Sequence, residues 1–215
     1  YDNNKRKLPW RKHVSKKQKQ YFTLVSEFML QQTQVKTVIP YFNNFVEKIP
    51  NIETLAKVRN KKLMKCWEGL GYYSRARNLK KTAQKVISNL KGNLPSSIEE
   101  LKKLPGIGDY TSQAISAIVF NKPIIPLDGN VERVLKRVLY LKKEKEITKE
   151  NLNYEKSFFG VSKRCSDYAQ AIMEIGALIC KPSNPFCLKC PISDYCVSFK
   201  KNDFQIKSKN KFHKV

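Results

Sequence analysis

Leu104-Pro105-Gly106-Ile107-Gly108-Asp109-Tyr110 joins two helical patterns through a pair of glycines. Two glycines permit a tight turn with positive φ, and neither carries a side chain that blocks close approach. The helix before the turn opens at Ser96-Ser97-Ile98-Glu99, a capping-box signature in which Glu99 lies three residues after Ser96. The helix after it begins near Tyr110 and buries Ala114, Ile115, Ile118 and Val119. Backbone N–H groups at the start of that second helix face outward and suit an anion. An ordinary corner between two helices has the same residues. The basic surroundings favour the anion site.

Helical spacing continues on both sides of the turn. Tyr21, Phe22, Leu24, Val25, Phe28 and Met29 recur at that period, as do Val38, Tyr41, Phe42 and Phe45. Pro40 is expected to kink or divide the latter run, and Pro50 marks a break. Leu55, Leu63 and Trp67 extend the pattern up to Gly69 and Gly71, and a helix through Leu79, Ala83, Val86 and Leu90 follows. Beyond Pro126, residues 130–141 and 168–179 again read as helices. The Lys/Glu/Asn-rich stretch 142–157 reads as a charged connection or surface helix, and 200–215 as a frayed basic tail. No strand pattern stands out, so the expected class is all-α.

The chain has 215 residues, with 42 Lys and Arg against 18 Asp and Glu, for a formal net charge of +24. The excess is spread along the chain, so the folded body itself is basic and suits a polyanion. No apolar run reaches the roughly 18 residues needed to span a bilayer, and the start, Tyr1-Asp2-Asn3-Asn4-Lys5, lacks the apolar core of a secretory signal. The expected partner is therefore nucleic acid and not membrane. The absence of an initiator Met points to trimming.

Cys180, Cys187, Cys190 and Cys196 follow the spacing C-x6-C-x2-C-x5-C. Four thiols this close suit one metal centre better than a disulfide scaffold, in which cysteines are spread over a small secreted fold. Zinc ribbons present two short knuckles far apart, and only Cys187 and Cys190 form one here. A compact four-thiolate loop also seats an iron–sulfur cluster, and spacing does not choose between the metals. Cys66 and Cys165 lie apart and read as buried free thiols.

Two acids stand in unusual settings. Glu27 interrupts Leu24-Val25-Ser26-Glu27-Phe28-Met29-Leu30, with Gln31 four and Gln34 seven residues on, the spacing of one helical face. That stripe borders a pocket or faces solvent. Asp128 follows Pro126-Leu127 and precedes Gly129-Asn130-Val131, where it serves as a helix N-cap, a place that suits a carboxylate. Gly69-Leu70-Gly71-Tyr72-Tyr73-Ser74-Arg75-Ala76-Arg77 has the aromatics and cations of a DNA wedge and clamp, or of a packed helix corner.

Together, Leu8-Pro9-Trp10-Arg11, residues 26–35, residues 69–79, the Gly106/Gly108 turn, residues 127–134 and the cysteine cluster resemble the helix-hairpin-helix DNA glycosylases with an iron–sulfur loop. The glutamine-rich and Tyr-Tyr segments narrow the resemblance to the MutY-type adenine DNA glycosylases. The resemblance spans nearly the whole chain. It implies two helical lobes, 16–127 and 1–15 plus 128–199, with the active-site cleft between them. It also implies a [4Fe–4S] cluster on the four cysteines and hydrolysis of the N-glycosidic bond of adenine mispaired with 8-oxoguanine or guanine. Glu27 would protonate a flipped adenine and Asp128 would stabilise the oxocarbenium-like sugar. Tyr110 and Asn130 would line the sugar, and Arg11 and Glu174 would lie near the adenine. Gln31, Gln32 and Tyr72 would lie beside the base stack, and Arg75, Arg77, Gly106 and Gly108 would contact DNA. The implied protein is a monomer acting on double-stranded DNA, in the bacterial cytoplasm or in a eukaryotic nucleus or organelle.

Three departures matter. Family members usually carry a further C-terminal domain that helps recognise 8-oxoguanine, and nothing before Val215 matches it, so a catalytic-domain fragment or a short member is expected. The stretch from Arg11 to Ser26 is longer than usual. Tyr110 also stands where endonuclease III-like lyases place a Schiff-base lysine, which points to a monofunctional enzyme. The rival readings are such a bifunctional lyase, a non-catalytic iron–sulfur DNA-binding module and a zinc-stapled RNA binder.

Overall fold

The computed structural model describes residues 1–141 and 163–204. The stretch 142–157, and the tail from 205 onward, lie outside the described residues. Every regular element among the described residues is helical, as expected. Two compact units result, one formed by Lys7–Phe120 and the other by Tyr1–Arg6 with the described residues from Asn121 onward.

The first unit opens with a single 3-10 turn, Pro9–Arg11, followed by α1 (Lys16–Leu30), α2 (Val35–Lys48), α3 (Ile52–Lys57) and α4 (Asn60–Trp67). It continues through α5 (Ser74–Asn89), α6 (Ile98–Lys102) and α7 (Asp109–Phe120). Local chemistry sets several starts. The Ser15 hydroxyl accepts from Gln18 N–H and the Asn51 amide oxygen from Thr54 N–H, each at an N-cap. For α6 the cap is Ser97, which accepts from Glu100 N–H at 3.1 Å, one residue later than the Ser96/Glu99 box expected from the sequence. Pro40 does not divide α2. It is the sixth residue of the helix and exposed, and the Lys36 carbonyl that loses its N–H partner is on an exposed residue that water can reach.

Phe28, Phe42, Phe45 and Trp67 fill the centre of this unit, with Phe22–Phe42 and Trp10–Phe42 ring centroids 5.3 Å apart in edge-to-face contact. The second unit contains α8 (Gly129–Leu139), α9 (Cys165–Glu174), a π-helical continuation Ile175–Ile179, and a short α10 (Val197–Lys200). Its smaller core gathers Ile125, Val131, Val134, Leu135, Ile172 and Ile175. No helix among the described residues is long and apolar enough to cross a membrane.

Candidate active site

Glu27 is buried, 5% exposed, among the apolar residues of α1. The helix stops three residues later, at Leu30, and Gln34 caps the next helix. The expected stripe from Glu27 through Gln31 to Gln34 is therefore broken, because Gln31 has already left helical geometry. Its side-chain amide instead donates to the Gly106 carbonyl and to Thr111 Oγ1, both at 3.3 Å. Gln31 thereby ties the end of α1 to the turn between α6 and α7. Gly106 closes the same joint. Its φ is +78°, and a Cβ there would stand 2.8 Å from the Phe28 ring and from Asn78 Cβ. Only glycine fits both the conformation and the space. Gly108 is exposed with open space around it, and Tyr110 lies half-buried in the first turn of α7. Asp109, at the head of that helix, pairs with Lys102.

Gln32 and Tyr72 protrude. Both are non-glycine residues with left-handed backbone, φ 56° and 47°, and Tyr72 is 59% exposed. Arg77 is exposed, as a DNA contact requires. Arg75 is not. The expected DNA-facing clamp at Arg75 is 7% exposed and aims its guanidinium into the protein, at the carbonyls of Phe28, Met29, Gln31, Leu70 and Gly71. Burial pulls its pKa down from the usual arginine value.

In the second unit, Asp128 caps α8. Its Oδ1 accepts from the backbone N–H of Asn130 at 2.9 Å and of Val131 at 2.7 Å. The helix dipole and these two donors set positive partial charge against the carboxylate. Asn130 Oδ1 accepts from Arg133 Nη2 at 2.8 Å, and the same guanidinium donates to the Gly176 and Cys180 carbonyls, each at 2.8 Å. Gly176 is packed so closely that a Cβ would lie 2.9 Å from the Asn130 carbonyl oxygen. Glu174, at the end of α9, is buried and clamped by Arg6, which donates through Nε and Nη2 at 2.8 Å and through its backbone N–H at 3.3 Å. Arg11, the expected arginine, ends the 3-10 turn of the first unit.

The four clustered cysteines line one cavity in the second unit, together with Val134, Arg137 and Ile179. The cavity is partly open to solvent. Burial pushes the Cys187 and Cys190 thiols up, and the neighbouring thiols add to the rise. Arg137 Nη1 donates to Cys180 Sγ at 3.4 Å and to the Lys181 carbonyl at 2.6 Å, and Nη2 to the Pro182 carbonyl at 2.9 Å. Among the described residues no three acid, thiol or imidazole groups converge as ligands of a single ion.

Residues 25–156 match the family model described as HhH-GPD superfamily base excision DNA repair protein. The chain belongs to that superfamily. Among curated relatives, an adenine DNA glycosylase of Buchnera aphidicola (subsp. Baizongia pistaciae) is 42% identical over 208 residues, covering 96% of this chain and 58% of the relative. The adenine DNA glycosylase of Homo sapiens is 39% identical over 207 residues, covering 91% of this chain and 37% of the relative. The chain thus spans between about a third and three-fifths of the length of these curated relatives. Among solved structures, a thermostable thymine-DNA glycosylase superposes with TM-score 0.79 at 28% identity, covering 93% of this chain and 91% of that one. A non-covalent endonuclease III–DNA complex superposes at 0.69 and 26% identity, covering 90% and 88%.

Arg6, Arg133 and Arg137 went unseen in the sequence of this superfamily member. For the α8 pair a signal existed: Arg133 and Arg137 are four residues apart on one helical face that starts at Asp128. For Arg6 there was none, since its carboxylate partner lies 168 residues away.

Proposed function

We propose that this chain hydrolyses the N-glycosidic bond of adenine mispaired with 8-oxoguanine or guanine in double-stranded DNA, without cutting the strand. The observation that carries the reading is Glu27, a carboxyl group buried in an apolar helix whose end is pinned to the glycine turn. A flipped adenine meeting Glu27 takes a proton on a ring nitrogen, which turns the base into a neutral leaving group. Positive charge then develops on the sugar. Asp128, oriented by two backbone donors at the head of α8, stabilises that charge. The family resemblance assigns Tyr110 and Asn130 each to the sugar, and the Arg6–Glu174 pair offers a fixed polar edge for the base. Tyr110 offers no amine for a Schiff base, which supports hydrolysis over lyase chemistry. Gly106, Gly108 and the start of α7 grip a phosphate, and the basic surface supplies affinity that falls as salt rises.

The cysteine cavity suits a [4Fe–4S] cluster held by Cys180, Cys187, Cys190 and Cys196. A four-iron cluster takes one thiolate at each iron, so its sulfurs need only share a cavity. A tetrahedral zinc would instead draw all four to about 2.3 Å from a single point. Held there by the four cysteines, the cluster would cross-link the loop and would supply one-electron redox chemistry. Arg133 and Arg137 hold the loop's carbonyls around that position.

Single-turnover base release tests the reading on duplexes with adenine opposite 8-oxoguanine, guanine and thymine. Adenine should leave the two mispairs, with strand breaks only after alkali, and Glu27→Gln should slow release by about 10²- to 10⁴-fold. Efficient borohydride trapping of a protein–DNA adduct would establish a lyase instead. Thymine release from a T·G duplex without adenine release would favour the activity named for the thymine-DNA glycosylase.

A further inference from the structure

We propose that Arg75 is a positioning residue that locks Gln32 and Tyr72 into one rigid pair. The two protruding side chains then enter the base stack as a unit, at a spacing fixed before DNA arrives. The inference rests on the glycosylase reading above for what the pair touches. The coupling itself rests on geometry.

Gln32 is straddled. Arg75 Nη1 donates to the Gln31 carbonyl on one side and to Thr33 Oγ1, at 3.1 Å, on the other. The Thr33 hydroxyl in turn donates to the Gln31 carbonyl at 3.3 Å, closing a ring around the left-handed residue. The same nitrogen reaches the carbonyls of Met29 at 2.9 Å and Phe28 at 3.2 Å, which the end of α1 leaves without helical partners. Nη2 donates to Leu70 and Gly71 carbonyls, both at 3.2 Å, immediately before Tyr72. The guanidinium carbon lies 5.3 Å from the Tyr72 ring centroid and 5.6 Å from that of Trp67. One planar cation thus bridges two separate loops, each with a non-glycine residue at positive φ. Such backbone persists only where the surroundings over-determine it.

The arrangement is poorly suited to stability alone. The charge is buried with no carboxylate among its described contacts, and Nε has no hydrogen-bond partner among the described residues. Lysine would supply charge without the planar fork, so it cannot hold both loops at once. The neighbouring Arg77, exposed on the same helix, is free to meet phosphate while Arg75 sets the geometry.

The test has two arms. Hydrogen exchange on the DNA-free protein should show amides at 31–34 and 70–73 opening together in Arg75→Lys, with α7 unchanged. Thr33→Val, a milder change that leaves the guanidinium intact, should loosen both segments in the same sense and guards against an Arg75→Lys protein that fails to fold. Opening of one segment alone, or of neither, overturns the coupling. In the second arm, 2-aminopurine beside the mispair reports unstacking. Arg75→Lys and Tyr72→Ala should each reduce it by about tenfold and the double variant by no more than either, since both remove one unit. Additive losses overturn the proposal. A wild type that releases no adenine would sink the glycosylase reading, while the exchange arm still decides the coupling.

Discussion

Each of the two units is stabilised internally by different means. Lys7–Phe120 has a continuous aromatic and aliphatic core, and its polar joints, such as Gln31 on Gly106, sit on top of that packing. The second unit has a smaller core, and its cysteine loop is made of short turns whose large apolar side chains face water, Leu188 being 93% exposed. That loop is organised by two arginines of α8 and by four thiols that suit a metal cluster. Apolar burial is non-directional and stabilises a unit on its own. Hydrogen bonds to loop carbonyls specify a shape and contribute little net energy each. The first unit should therefore fold without help, while the cysteine loop should depend for its order on the cluster proposed above.

Four experiments sharpen or break this contrast. Removing iron by chelation, or making Cys187→Ser, should abolish the visible absorbance and all exchange protection at 180–196, with α1 and α5 unchanged in the same exchange experiment. Collapse of protection in α1 would end the contrast. Phe28→Ala should destabilise the first unit by about 3–5 kcal/mol in a urea titration, because it empties a fully buried aromatic site. Arg133→Ala should cost about 2–3 kcal/mol, since it leaves the buried Gly176 carbonyl and the Asn130 amide oxygen without their donor. Ser97→Ala should cost about 1 kcal/mol and Ser96→Ala almost nothing, which thermal melts of the two variants would separate.

Much of the first unit was legible because helical periodicity and turn chemistry are local signals. The glycine turn, the helix that carries Glu27 and the helix that follows Gly71 all fell where expected. The end of α1 did not, because Leu30, Gln31 and Gln32 carry no breaker. A distant arginine and the Gly106 turn impose the stop. Arg75 was misread for a related reason. Its composition is that of a DNA contact, and only the fold turns its guanidinium inward. The capping box was placed one residue early, at Ser96, because two adjacent hydroxyls look equivalent in sequence and only Ser97 reaches a free N–H. The Asp128 cap was plain from local sequence, but the arginines that bind its helix to the cysteine loop depend on contacts 43 to 47 residues apart.

Gly176 has a consequence at the level of inheritance. Its α-carbon faces the Asn130 carbonyl so closely that any Cβ would lie 2.9 Å from the oxygen. Every missense change of a glycine codon introduces at least that one carbon. No conservative neighbour exists at this position in the genetic code, and the smallest replacement, Gly176→Ala, already forces the start of α8 and the π-helical turn apart. Variants arising here by single-nucleotide change should therefore fall into one phenotypic class, whatever the chemistry of the new side chain.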